Sequence, residues 1–316
     1  MTMTASKLGT QFVKIVLLAA VLYFVGATII ERVADVEWNR LRPDFRFLAL
    51  AMLAAISARF FIGIFYGVLL RHLDNPLPYR IGMAVSWMAL LGKYVPGKMA
   101  IFASVVCLLA RYQVNAAVSV IVPMLNNGMA VLIALILSLP LLFSSWARET
   151  IPFSRVWFIM LIVAGIVALC PRVFLGTCNF FLRLMKRPRL DVNLTFRQMI
   201  LPVCFVTGQC LATGVATWCM ARTLSPSVDL YSMPLMVSVT ALAGALGILA
   251  LFAPAGLGVV EGMYLLMLSP LIGPEMAALL SICLRLLQTA ADILMAFAGM
   301  LFVARNPLSV LTETDS

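Results

Sequence analysis

Long apolar runs separated by short polar clusters dominate this 316-residue chain. The runs fall at about 11–30, 47–70, 81–91, 99–110, 115–144, 157–181, 199–220, 232–253, 262–272 and 276–303. A helix that crosses a bilayer needs about 20 residues at about 1.5 Å rise each. Most of the runs reach that length. The runs 81–91, 99–110 and 262–272 reach about half of it, which predicts half-helices or interfacial pieces. The expected fold class is an all-α polytopic membrane protein, with roughly six to eight transmembrane helices. Residues 1–316 read as one integral membrane domain.

Two Pro-Gly segments break the apolar pattern. The first is Gly92-Lys93-Tyr94-Val95-Pro96-Gly97-Lys98, and the second is Pro254-Ala255-Gly256-Leu257-Gly258-Val259-Val260-Glu261-Gly262. Both interrupt helix, and both carry charge where lipid penalises it. Backbone freed from a helix at membrane depth must be buried in protein or line a wet cavity. Two such breaks in matching places of two halves point to a binding site between repeats.

Composition and charge then set the topology. The chain is 63% hydrophobic and 11% charged, with mean hydropathy +1.05, which excludes a soluble domain. Its net charge of +10 fits the positive-inside rule and anionic headgroups better than nucleic acid. Segment 172–198 holds Arg172, Arg183, Lys186, Arg187, Arg189 and Arg197 against Asp191 alone, and is expected in the cytoplasm. Segment 31–46 balances Glu31, Asp35, Glu37 and Asp44 with Arg32, Arg40, Arg42 and Arg46, which suits the outer side.

In the resulting layout, span 11–30 goes out and 47–70 returns. Segment 81–110 dips in from the cytoplasm with Pro96-Gly97 at its tip. Spans 115–144, 157–181 and 199–220 follow. Segment 232–272 dips in from outside, and 276–303 returns. Units 47–144 and 199–303 then read as inverted repeats. Both termini lie in the cytoplasm of a bacterial plasma (inner) membrane. The alternative is that 232–253 crosses alone, which moves the C-terminus to the other side. The N-terminal run is too long for a signal-peptide core and reads as an uncleaved span.

The seven cysteines form no C-x-x-C and read as small buried hydrophobes. His72 stands alone, with no ligand cluster around it, so no metal or cofactor is expected.

Several polar residues at membrane depth are candidates for chemistry. Lys93 and Lys98 bracket Pro96-Gly97; they either bind phosphate beside free backbone N–H groups or snorkel to headgroups. Glu261 either caps the following half-helix or pairs with a cation. Arg285, Gln288 and Asp292 share one face of the last span, which must point into the bundle. Asp292 reaches Arg285 only loosely, and Arg59, near the centre of span 47–70, is its other available partner. Asn126, Asn127 and Gln209 suit interhelical hydrogen bonds or the lining of a path. The run Ala243-Gly244-Ala245-Leu246-Gly247 suits close helix packing.

The segment Gly92–Lys98 resembles the first signature of the lysylphosphatidylglycerol synthase transmembrane family, and Pro254–Glu261 resembles its second. The resemblance covers nearly the whole chain. Members of this family are similar to the flippase part of the multiple peptide resistance factor, which moves aminoacylated phosphatidylglycerol between leaflets. A separate soluble domain makes that lipid, and no such domain follows here before Ser316. The resemblance thus implies translocation without synthesis, with a lipid or lipid-linked glycan as cargo. Lipid or glycan biosynthesis enzymes are the expected partners. The helix after the first motif departs from the family, with Pro123, Asn126 and Asn127 in place of charge.

The expected substrate-binding set is Lys93, Pro96, Gly97, Lys98, Arg59, Pro254, Gly256, Gly258, Glu261, Arg285 and Asp292. No catalytic residue is expected. Two other readings compete. A polyprenyl-phosphate-dependent glycosyltransferase would use Asp35 and Glu37, although the chain has no D-x-D. A non-transporting partner would scaffold a lipid or glycan assembly complex.

Overall fold

The computed structural model describes residues 30–31, 43–73, 75, 77–94, 99–143, 159–160, 163–165, 167, 170–184, 195–250 and 253–305. Residues 11–29 of the first span, most of loop 31–46, Val95-Pro96-Gly97-Lys98, loop 145–156 and the basic stretch 185–194 lie outside the described residues.

Helix α1 (Phe45–His72) starts where the Asp44 carboxylate accepts the Arg46 N–H at 2.9 Å. It ends on Arg71, whose positive charge suits a helix C-terminus. The first broken pair follows: α2 (Tyr79–Ala89), a tight 3₁₀ turn Leu90–Tyr94, and α3 (Met99–Ala110). With 11 and 12 residues, these helices are half-crossings, as their apolar runs predict. Gly92 is what lets the arms approach. A Cβ there would stand 2.9 Å from both Cα and N of Ile101.

Helix α4 (Ala116–Leu137) is opened by Asn115, which accepts the Ala117 N–H at 2.9 Å, and it tolerates Pro123 inside. The next run departs from expectation. The chain bends at Cys170, and Pro171 starts a separate helix, α5 (Pro171–Leu184). Proline is accommodated at a first helical position, and inside a helix it removes a hydrogen bond and favours a kink or break. Arg172, Gly176, Asn179 and Arg183 fall on one face of α5, so residues 171–181 form an amphipathic helix and not the end of a span.

Helix α6 (Phe196–Leu224) opens with the Gln198 side chain accepting the Thr195 N–H at 2.8 Å. The second broken pair is α7 (Met233–Leu249), the turn Pro254–Gly256, and α8 (Val259–Ile272); α9 (Pro274–Arg305) completes the described chain. Helix α8 begins three residues earlier than the sequence suggested. Gly258 takes φ 81°, and the Glu261 Oε2 accepts its N–H at 2.8 Å, so the cap falls before Val259.

With their leading turns, α7 and α8 are 20 and 19 residues long, and both are apolar enough to cross. Six stretches among the described residues meet that standard. The short run 262–272 is therefore part of a near-full-length arm. Helices α7 and α8 pack against each other across the turn.

Helices α1 and α6 form the most extensive helix–helix contact. Two apolar clusters flank it. One gathers Phe65, Leu69, Leu109, Ile121 and Met129 from α1, α3 and α4. The other gathers Ala55, Met236, Met267, Leu268 and Leu284 from α1 and α7 to α9. Large apolar side chains such as Leu53, Phe60, Leu286, Leu294 and Phe297 point outward, as lipid-facing positions allow. The cysteines follow the same rule and correct the expectation of burial: Cys107, Cys170 and Cys204 are exposed, and Cys219 is buried. In the small-residue run, Gly247 packs against Val260, whereas a Cβ on Gly244 would meet nothing within 4 Å.

Candidate functional site

Arg59 sits in the middle of α1 and is 5% exposed. A guanidinium at that depth needs every N–H engaged. Its Nε donates to Asp292 Oδ1 at 2.8 Å, Nη1 to the Ala55 carbonyl at 3.1 Å, and Nη2 to the Gln288 carbonyl at 3.2 Å. Its backbone carbonyl accepts the Trp87 Nε1–H at 2.9 Å, which ties α2 to α1.

Asp292 is fully buried. Its second oxygen, Oδ2, lies 2.5 Å from Lys93 Nζ and accepts the Tyr94 hydroxyl at 2.6 Å. Lys93 therefore turns into the protein and does not snorkel, although 28% of its side chain stays accessible. The carboxylate offsets two cations from two different elements, α1 and the first turn.

A second cluster forms on the same helix, two turns earlier. Arg285 Nε donates to Glu261 Oε1 at 2.7 Å, with Nη2 2.6 Å from the same oxygen. Arg285 Nη1 donates to the Ala255 carbonyl at 3.0 Å, inside the second turn, where Ala255 takes φ 50°. Glu261 thus does both things the sequence left open, capping α8 through Oε2 and pairing with a cation through Oε1. The loose Arg285–Asp292 pairing does not form; each takes another partner.

Helix α9 consequently holds both breaks. Asp292 holds the first through Lys93 and Tyr94, and Arg285 holds the second through Ala255. The two turns also pack beside each other. Between them opens a cavity of about 820 Å³. Arg59, Lys93, Arg285 and Asp292 border it, as do Gly256 and the amides Asn126, Asn127 and Gln209. Pro254, Gly258 and Glu261 do not border it; Glu261 holds Arg285, which does, and Gly258 donates to Glu261. Pro96, Gly97 and Lys98 lie outside the described residues.

Tyr94, Thr289 and Trp87 are the contributors that residue patterns did not single out. Tyr94 lies inside the first Pro-Gly segment, next to Lys93. Thr289 lies on the same α9 stripe as Arg285 and Asp292, with its Oγ1 3.2 Å from the Tyr94 hydroxyl. Those two positions were signals available in the sequence. Trp87 carried none.

These features define a multi-pass, all-helical membrane protein in which two broken helix pairs enclose a cavity edged by buried ion pairs. The chain matches the family described as the lysylphosphatidylglycerol synthase TM region over residues 11–296, and belongs to it. Membership in that family gives the chain a role connected with membrane lipid. No curated protein matches the chain.

Proposed function

We propose that this protein moves a phosphate-bearing lipid, or a lipid-linked intermediate, between the leaflets of a bacterial inner membrane without changing it chemically. The observation that carries this reading is the cationic edge of the cavity. Arg59, Lys93 and Arg285 reach it from three elements, and among the described residues Asp292 and Glu261 offset only two of the three charges. A headgroup phosphate supplies the balancing negative charge, while its acyl or prenyl tails stay in lipid.

Lys93 is the mobile member. It is the most accessible of the three side chains, and its departure leaves Asp292 still paired with Arg59 Nε and the Tyr94 hydroxyl. An arriving phosphate takes Lys93 from Asp292, which loosens the first break from α9. Arg285 can respond similarly at the second break. A flexible ammonium suits such an exchange better than a fixed guanidinium fork.

The two buried acids already hold cations, which leaves neither as a free general base and favours transport over glycosyl transfer. The acids that a glycosyltransferase would use, Asp35 and Glu37, lie outside the described residues. The cytoplasmic placement of both termini and of segment 172–198 belongs to this proposal.

The test is lipid translocation by purified protein in proteoliposomes, read by headgroup accessibility. Lys93→Ala is expected to lower the rate about tenfold or more, since a charge-assisted bond is worth about 1.5–3 kcal/mol. Lys93→Arg should restore part of it. Normal translocation by Lys93→Ala would remove the phosphate site.

A further inference from the structure

Two amides at the cavity have buried, unpaired side-chain oxygens. Asn126 Oδ1 on α4 and Gln209 Oε1 on α6 accept no hydrogen bond from the protein. Both side chains border the cavity, and Asn126 is only 8% exposed. A buried acceptor left unpaired is costly, so a native protein keeps few of them without a reason. These amides sit on helices that contribute none of the ion-pair residues, so the cavity has a charged side and an uncharged polar side.

Asp292 is the only acid bordering the cavity among the described residues, and Arg59, Lys93 and Tyr94 already occupy it. A cationic headgroup would find three like charges and no free carboxylate. Its ammonium could reach the amide oxygens, but neutral acceptors do not offset that repulsion. A hydroxyl both donates and accepts. It therefore satisfies an amide whichever way the amide is turned, and carries no charge.

Resting on the phosphate site proposed above, we infer that Asn126 and Gln209 form a second subsite, which selects an uncharged, hydroxyl-bearing headgroup such as a polyol or sugar over an ammonium. The phosphate lies at Lys93 and Arg59, and the hydroxyls reach across to α4 and α6. The absence of charge in the helix after the first motif then becomes the specificity element itself.

The test uses the full chain in detergent, titrated with short-chain phosphatidylglycerol, phosphatidylinositol, phosphatidylcholine and phosphatidylethanolamine, with tryptophan fluorescence as readout. The two hydroxyl-bearing lipids should bind about fivefold or more tightly than the two ammonium-bearing ones, as expected from one net hydrogen bond. Asn126→Leu and Gln209→Met should erase that preference, with the proteins still folded as judged by their thermal transitions. Asn126→Asp should shift it toward the ammonium lipids. Lys93→Ala should weaken all four alike; if it does not while the preference holds, the phosphate site falls and the amide subsite stands. Equal affinities for the four lipids, no binding by any, or a preference untouched by Asn126→Leu would overturn the subsite.

Discussion

Asp292 carries two cations and a phenol, and its neighbours are not equally dependent on it. Asp292→Ala leaves Arg59 buried without a counter-ion, a change that costs about 3–5 kcal/mol in comparable buried pairs. Lys93→Ala removes a partly accessible cation and leaves the Arg59 and Tyr94 bonds to the carboxylate in place. Its expected cost is near that of one ordinary hydrogen bond, about 1 kcal/mol. Thermal unfolding of both variants in one detergent checks this, and equal losses would make Lys93 a structural partner. The sequence exposes Arg59, Lys93, Glu261, Arg285 and Asp292 through a single physical fact, namely charge at membrane depth. It offers Arg59 and Arg285 as alternative partners for Asp292, and the structure selects Arg59. Arg59 and Asp292 stand 233 positions apart, and their meeting depends on how α1 packs against α9. Periodicity along one helix cannot contain that information.

Helix lengths follow from run lengths, so α2 and α3 are legible as half-helices in the hydropathy pattern alone. The start of α8 is not. It depends on a glycine with φ 81° and a carboxylate folding back on it, both local details within one apolar run. The bend at Cys170 is different: Pro171-Arg172 marks it in the sequence, and the apolar residues on either side bridge the two helices into one apparent run. The breaks themselves depend on close backbone approach. Gly92→Ala places a methyl group 2.9 Å from the Ile101 backbone, which has no flexible end to move aside. A loss of about 1–3 kcal/mol is expected, as for other overpacked sites. Gly128→Ala is the control, since nothing lies within 4 Å of the added carbon and alanine favours helix by about 0.5–1 kcal/mol. Thermal transitions that fall for Gly92→Ala and hold or rise for Gly128→Ala would locate the strain at the break. Equal behaviour would mean that the arms can part freely.

Across the whole chain, topology turns on whether each broken pair returns to its starting side. After α5, the chain runs through α6, the α7–α8 pair and α9. If α6 crosses once, the pair returns, and α9 crosses back, then the end of α9 lies on the same side as α5. Depth of insertion of the pair does not change this result; only a pair whose second arm fails to return would. Arg183 on α5 and Arg305 at the end of α9 mark the two positions. In the orientation proposed above, the excess of arginine and lysine over acid in segment 172–198 puts that shared side in the cytoplasm. In a chain stripped of its seven cysteines, Arg183→Cys and Arg305→Cys should both resist impermeant thiol reagents in intact cells and label after permeabilisation. Opposite labelling of the two would break the return of the α7–α8 pair. Labelling of both in intact cells would keep that return and invert the orientation. The first outcome would also undo the inverted-repeat reading of 47–144 and 199–303, because two broken pairs can share a cavity from opposite sides only if each turns back.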